Sequence, residues 1–211
     1  MRLNLVTTLV YYFQAPLLTS LVRSMQSSAL LTPEEYLAFE AEAEVKHEYW
    51  HGRIVAMAGE TPNHSTVKDN LVDALRNQRP DCMARTAGVR VRAPGYGRDN
   101  YAYPDGLMVC GEEHYDVSAN PPTLLNPTLL IEVTSDSTRS RDTTDKLDAY
   151  FELDSLQEYW IVEPDRPYAL RYVQTKGGIL VHFVRGLDQT LSSETLDIAI
   201  SMKAVYHRVA L

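Results

Sequence analysis

The chain has 211 residues, 45% hydrophobic and 23% charged, with a formal net charge of -8. That length suits one domain with a sizeable core, and the composition excludes a low-complexity or fibrous chain. The acidic balance excludes recruitment of a polyanion by the field of the whole molecule, so any nucleic-acid contact needs a local basic patch.

Residues 1–30 stand apart. They hold Arg2 and Arg23 and no acid, which leaves -10 on residues 31–211 (the total of -8 less this +2). The stretch from Leu5 to Val22 leans apolar but is interrupted by Thr7, Thr8, Gln14, Pro16, Thr19 and Ser20, too polar for a membrane span. Arg2 ahead of an apolar stretch is like a signal peptide, but no clear cleavage site follows. The segment reads as a poorly ordered extension ahead of a domain over residues 31–211, with a docked helix or an export signal as alternatives.

The domain opens on Thr32, Pro33 and Glu35, a capping box with proline in the first turn, which predicts a helix to about Ala43. His47-Glu48-Tyr49-Trp50 and Arg53-Ile54-Val55-Ala56-Met57 flank His51-Gly52 and predict a hairpin. From Asn63 to Gln78, Val67, Leu71, Ala74 and Leu75 fall on one helical face. Strands are expected over Met83–Thr86, Val89–Ala93 and Ala102–Val109. The apolar run Leu124–Thr134 suggests a strand covered on both faces. A helix over Arg141–Leu153 and a strand over Gln157–Val162 follow. Alternating segments Ala169–Gln174 and Ile179–Val184, a turn at Gly186 and a strand near Leu196–Ile200 complete the chain. This order predicts an α/β (α+β) fold with a mixed central sheet flanked by helices. Cys82 and Cys110 are too few and too distant for a disulfide framework or a CxxC metal site, and read as thiols of a reduced, cytoplasmic protein.

Two acids sit where apolar strands turn polar: Asp105 after Pro104, and Glu132 after Leu129-Leu130-Ile131. A carboxylate in a buried strand is costly unless it is paired or holds a cation. A pair on neighbouring strands suits a hard divalent ion. Taken singly, Asp105 also fits a turn cap and Glu132 an arginine partner. Between Arg76 and Arg98 lie six arginines against Asp81 alone, a local charge of +5. Arg90 and Arg92, on one strand face by the period of two, are candidate nucleic-acid contacts.

Several motifs resemble one family. These are Leu31-Thr32-Pro33-Glu34-Glu35-Tyr36, Glu48-Tyr49-Trp50-His51-Gly52, Pro104-Asp105, Ile131-Glu132-Val133-Thr134-Ser135, Lys146-Leu147-Asp148-Ala149-Tyr150 and Glu158-Tyr159-Trp160-Ile161-Val162. Their order and spacing resemble the Uma-type restriction-endonuclease-like family of the PD-(D/E)xK nuclease superfamily, over about Leu31–Ile200. The resemblance implies a metal-dependent endonuclease hydrolysing DNA, with Mg²⁺ (or Mn²⁺) as cofactor and homodimers as the assembly. Asp105 and Glu132 are then metal ligands, joined by Glu48 as the additional amino-terminal acid. Position 134, where the superfamily carries lysine, is Thr134, and the resemblance moves that role to Lys146 on the next helix. An ordinary helix ion pair of Lys146 with Asp142 is the alternative. His64, at a helix start, matches a family position and either contacts phosphate or caps the turn. Tyr150 either lines the cleft or belongs to the core. A catalytically inactive module that keeps the fold to bind DNA or protein is the second reading.

Overall fold

The computed structural model describes residues 30–57, 59–95, 97–134 and 144–211. The expected extension over residues 1–30 and the start of the helix expected from Arg141 fall outside or at the edge of these. Leu31–Leu211 forms one compact unit.

Helix α1 spans Pro33–Glu42, and its capping box is present. Thr32 Oγ1 accepts from the Glu35 N–H at 3.2 Å, and the Glu35 carboxylate accepts from the Thr32 N–H at 2.7 Å. Strands β1 (His47–Trp50) and β2 (Arg53–Ala56) form the expected hairpin. His51 and Gly52, at φ of 51° and 85°, supply the left-handed turn that suits strand twist. Helix α2 (Pro62–Gln78) buries Val67, Leu71, Val72 and Leu75. Next come β3 (Cys82–Thr86), β4 (Arg90–Ala93), β5 (Asn100–Ala102), β6 (Gly106–Cys110), β7 (Tyr115–Asp116), β8 (Thr123–Leu124) and β9 (Leu129–Val133). Helix α3 (Asp145–Phe151), β10 (Glu158–Val162), β11 (Tyr168–Thr175), β12 (Gly178–Arg185), β13 (Thr190–Ser193), β14 (Ile198–Ser201) and α4 (Met202–Val205) complete the order.

The expected mixed α/β class holds, but the strands form two six-stranded sheets rather than one central sheet. One runs β2-β1-β5-β4-β8-β7 and the other β12-β11-β10-β9-β6-β3, with β13 and β14 as a separate pair. The single strand expected over Ala102–Val109 is split between them. Pro104 has no N–H for a ladder, and the chain leaves the first sheet after Ala102 and enters the second at Gly106. Leu124–Thr134 likewise divides into β8 and β9 around Asn126-Pro127.

The central strands β6, β9 and β10 of the second sheet are buried on both faces, as their apolar runs predict, whereas its edge strand β12 is largely exposed. Helix α2 covers one side through a core that includes Ile131, Val133, Trp160 and Val162. Leu130, Tyr159 and Ile161 pack on the other side with Ala149 and Tyr150 of α3. A Cβ at Gly106 would meet Val72 Cγ2 at 3.1 Å, a tight contact, so the close approach of α2 to β6 favours glycine there.

The cysteines correct the sequence expectation. Cys82 and Cys110 are partners in the β3–β6 ladder, with Cα atoms 4.4 Å apart, and are joined by a disulfide. Their distance in sequence is closed by an antiparallel return, so they supply no argument for a reducing compartment. Among the described residues no helix is long and apolar enough to cross a membrane.

Candidate active site

The second sheet sets Asp105 and Glu132 at one end. Gly106 opposes Ile131 across the antiparallel β6–β9 ladder, and continuing that register sets Asp105 beside Glu132. Strand β10 runs parallel to β9 with Ile161 beside Glu132. Both acids are buried, at 8% and 5% exposure.

Glu48, Glu132 and Lys146 make one contact set. Lys146 Nζ lies 2.9 Å from Glu132 Oε1 and 3.0 Å from Glu48 Oε1. The lysine is 5% exposed, so it is not a solvated helix charge; Asp142 lies outside the described residues. The Tyr150 hydroxyl, one turn along α3, donates to Glu132 Oε1 at 3.2 Å. Trp50 Nε1 donates to Glu48 Oε2 at 3.1 Å, and the Tyr103 N–H reaches Glu48 Oε1 at 3.4 Å. Burying an ammonium among carboxylates needs this density of partners to offset desolvation.

Asp105 anchors a second set. Its Oδ2 accepts from the Val133 N–H at 2.7 Å and lies 3.2 Å from His64 Nε2. His64 Nδ1 faces Glu60 Oε2 at 3.5 Å, and Lys68 Nζ donates to that oxygen at 2.5 Å. Burial works against a charged His64 ring, but Asp105 and Glu60 outweigh it and hold its pKa above the usual imidazole value. Lys68, with Ser65, holds the Glu60 carboxyl below its usual value against the opposing effect of burial. The helix-start role of His64 is not capping, since Thr61 Oγ1 accepts from the His64 N–H and caps α2. The sequence alone does not single out Glu60 or Lys68; Lys68 lies one helical turn after His64 on α2, and Glu60 precedes the Thr61 cap.

The donor chemistry fits a hard divalent ion: buried carboxylate oxygens at a strand end, in a set with a lysine. Asp105 and Glu132 could hold it. Glu48, with both oxygens engaged by Lys146, Tyr103 and Trp50, is better built to position the lysine. Among the described residues, the ligand atoms of Glu60, His64 and Asp105 lie within 4.8 Å of one another and form a further possible set.

The expected arginine patch is largely engaged within the protein. Arg90 is fully buried, its guanidinium donating to Thr123 Oγ1 at 2.8 Å and to the Pro121 carbonyl, with Tyr36 and Tyr101 rings 6.0 and 5.9 Å away. It braces the first sheet and is inaccessible to a phosphate. The period of two does put Arg90 and Arg92 on one face, but α1 covers the inner part of it with Tyr36. Arg92 is half-exposed, near Asp99 at 3.6 Å and Asp116 at 3.7 Å. Arg85 pairs with Glu113, Arg79 with Asp81 and Arg76 with Asp73.

The family model described as "Uma2: Putative restriction endonuclease" matches residues 33–204, most of the chain. The chain belongs to the Uma2 family. Two proteins of Synechocystis sp., "Uncharacterized protein slr1290" and "Uncharacterized protein sll1609", are each 31% identical to this Uma2 chain. The alignments cover 63% and 65% of this chain, and 68% and 77% of theirs. The crystal structure of "a putative nuclease belonging to DUF820" from Anabaena variabilis superposes with a TM-score of 0.70. It covers 85% of this chain and 99% of that one at 16% identity, a likeness of fold. The Uma2 assignment supports a nuclease function. In this Uma2 chain Thr134 is buried, its N–H bonded to the Val162 carbonyl at 2.8 Å.

Proposed function

We propose that this Uma2 protein is a metal-dependent endonuclease that hydrolyses phosphodiester bonds in DNA. The observation that carries this reading is Lys146. It reaches back from α3 to Glu132 at 2.9 Å, buried beside the strand end that also carries Asp105. A lysine lost from the strand at Thr134 is thus returned to the same acid from the helix.

Asp105 and Glu132 are the carboxylates that hold the cation. A bound Mg²⁺, with Mn²⁺ as the alternative, supplies an activated water and offsets charge on the phosphoryl oxygens. Glu48 and Tyr150 fix Lys146 and Glu132 in place, and the ammonium supplies positive charge where the phosphate gains negative charge. His64, held by Asp105 and Glu60, fixes the orientation of Asp105. Substrate binding belongs to the same proposal.

Calorimetry with Mg²⁺ and Mn²⁺ tests the metal site. The native chain is expected to bind at least one of them, and Asp105→Ala to lose that binding. No binding by the native chain would reject the enzyme reading.

The Lys146 contacts also favour a second reading. With the ammonium between Glu48 and Glu132, the pair of acids is partly neutralised without a metal, as suits an inactive nuclease-fold module that binds DNA or protein. DNA binding without metal affinity or cleavage would select it.

A further inference from the structure

A nuclease with this net charge needs cations beside the scissile site, and the Arg76–Arg98 segment supplies few that are accessible. The second sheet offers others at the end that carries Glu132. Arg166, Pro167, Tyr168 and Arg185 line an open cleft of about 340 Å³. The Arg166 and Arg185 guanidinium carbons lie 5.1 and 5.3 Å from the Tyr168 ring centroid, and Arg185 also approaches the Phe183 ring at 5.7 Å. Both arginines are exposed. Arg166 pairs with Glu163. Among the described residues, no carboxylate lies within ion-pair distance of Arg185.

The strand register places this cleft relative to the site. Tyr168 opposes Arg185, and the row through Glu132 continues through Ile161 and Leu170 to Phe183. Arg185 is two residues beyond Phe183, so its side chain leaves the same sheet face as Glu132. Three strand spacings and two residues of rise put Arg185 about 16 Å from Glu132. The turn before β11 is tied to the start of α2, where Asn63, next to His64, donates to Asp165 Oδ1 at 2.8 Å.

We infer that the Arg166–Tyr168–Arg185 cleft binds a backbone phosphate of the nucleic acid whose scissile bond lies at Asp105 and Glu132. This rests on the nuclease reading above. Arg166 is held by Glu163 through both Nε and Nη2, so the fork that matches two phosphate oxygens is that of Arg185, and the Tyr168 ring beside it holds it in place before the ligand arrives. Duplex DNA carries a charge every ~1.7 Å along its axis, so a duplex on the acids presents phosphates at the distance of the cleft.

The test is fluorescence anisotropy of an end-labelled DNA duplex in EDTA, titrated with the native chain at several salt concentrations. The plasmid-cleavage activity of each protein is measured in parallel. Arg185→Ala is expected to weaken binding about five- to tenfold at low salt and to lower the salt slope by about 1. Arg185→Lys should keep the slope while losing part of the affinity. Arg76→Ala removes the same charge some 12 residues, or about 18 Å, along α2 from His64 and should change neither. Native-like binding and slope in Arg185→Ala, with the native chain binding and cutting DNA, overturns the cleft and leaves the nuclease reading intact. A native chain that neither binds nor cuts DNA removes both.

Discussion

Lys146 decides how the acids behave. Its ammonium holds Glu48 and Glu132 at 3.0 and 2.9 Å, all three residues buried. Removing one member of such a set leaves uncompensated charge and costs about 3 kcal/mol. Lys146→Ala should therefore lower stability in EDTA by that amount in urea unfolding. Saturating Mg²⁺ should restore part of the loss, because a cation then sits among the same carboxylates. A variant equally unstable with and without Mg²⁺ would separate these glutamates from the metal. Among the described residues, a simpler pair that makes no contact with the site side chains gives a pH prediction. The Arg85 guanidinium holds the Glu113 carboxyl below its ordinary value of 4.5, against burial. A carboxyl depressed on folding contributes stability that is complete above 4.5 and lost as pH falls through its folded value. Glu113→Gln should accordingly flatten the acid side of the stability–pH profile and leave neutral cleavage unchanged. An unaltered acid limb would show the pair to be without consequence.

Gly106 joins two elements at one atom's clearance. With Val72 Cγ2 only 3.1 Å from the point a Cβ would occupy, Gly106→Ala should force α2 away from β6. The expected cost is about 1–3 kcal/mol. Cleavage should fall as well, because Asp105 and His64 sit at this junction. A fully active, equally stable alanine variant would contradict that packing. Much of this level was legible in the sequence: the Thr32 capping box, the His51-Gly52 hairpin, the α2 stripe and the β11–β12 pair each rest on local signals. What was not legible depends on contacts distant in sequence. The runs around Pro104 and Pro127 read as continuous apolar strands, and only the packing of two sheets divides them. Cys82 and Cys110 meet through register, which spacing does not encode. Asp105 and Glu132 stood out because a carboxylate in a buried strand is costly, whereas Lys146 was marked only by the resemblance to the Uma-type family. Arg90 misled for the complementary reason, since its tyrosine cover comes from Tyr36 of α1, remote in sequence, and Tyr101 of the paired strand β5.

The net charge of -8 belongs to the whole molecule, yet the candidate substrate is a polyanion. The charges are segregated: acids of the site are buried and held by Lys146 and His64, whereas Arg166 and Arg185 stand exposed at the same sheet end. Binding governed by so few phosphate contacts should weaken only gradually with added salt, and more gradually still after Arg185→Ala. The central claim is that this sheet end cuts DNA through Asp105, Glu132 and Lys146. Its most direct measurement is conversion of supercoiled plasmid to nicked or linear forms in Mg²⁺ or Mn²⁺ by the native chain, Asp105→Ala and Lys146→Ala, each verified as folded. The account predicts metal-dependent conversion by the native chain and none by either variant; native-like cutting by Lys146→Ala, or by Asp105→Ala, would contradict it.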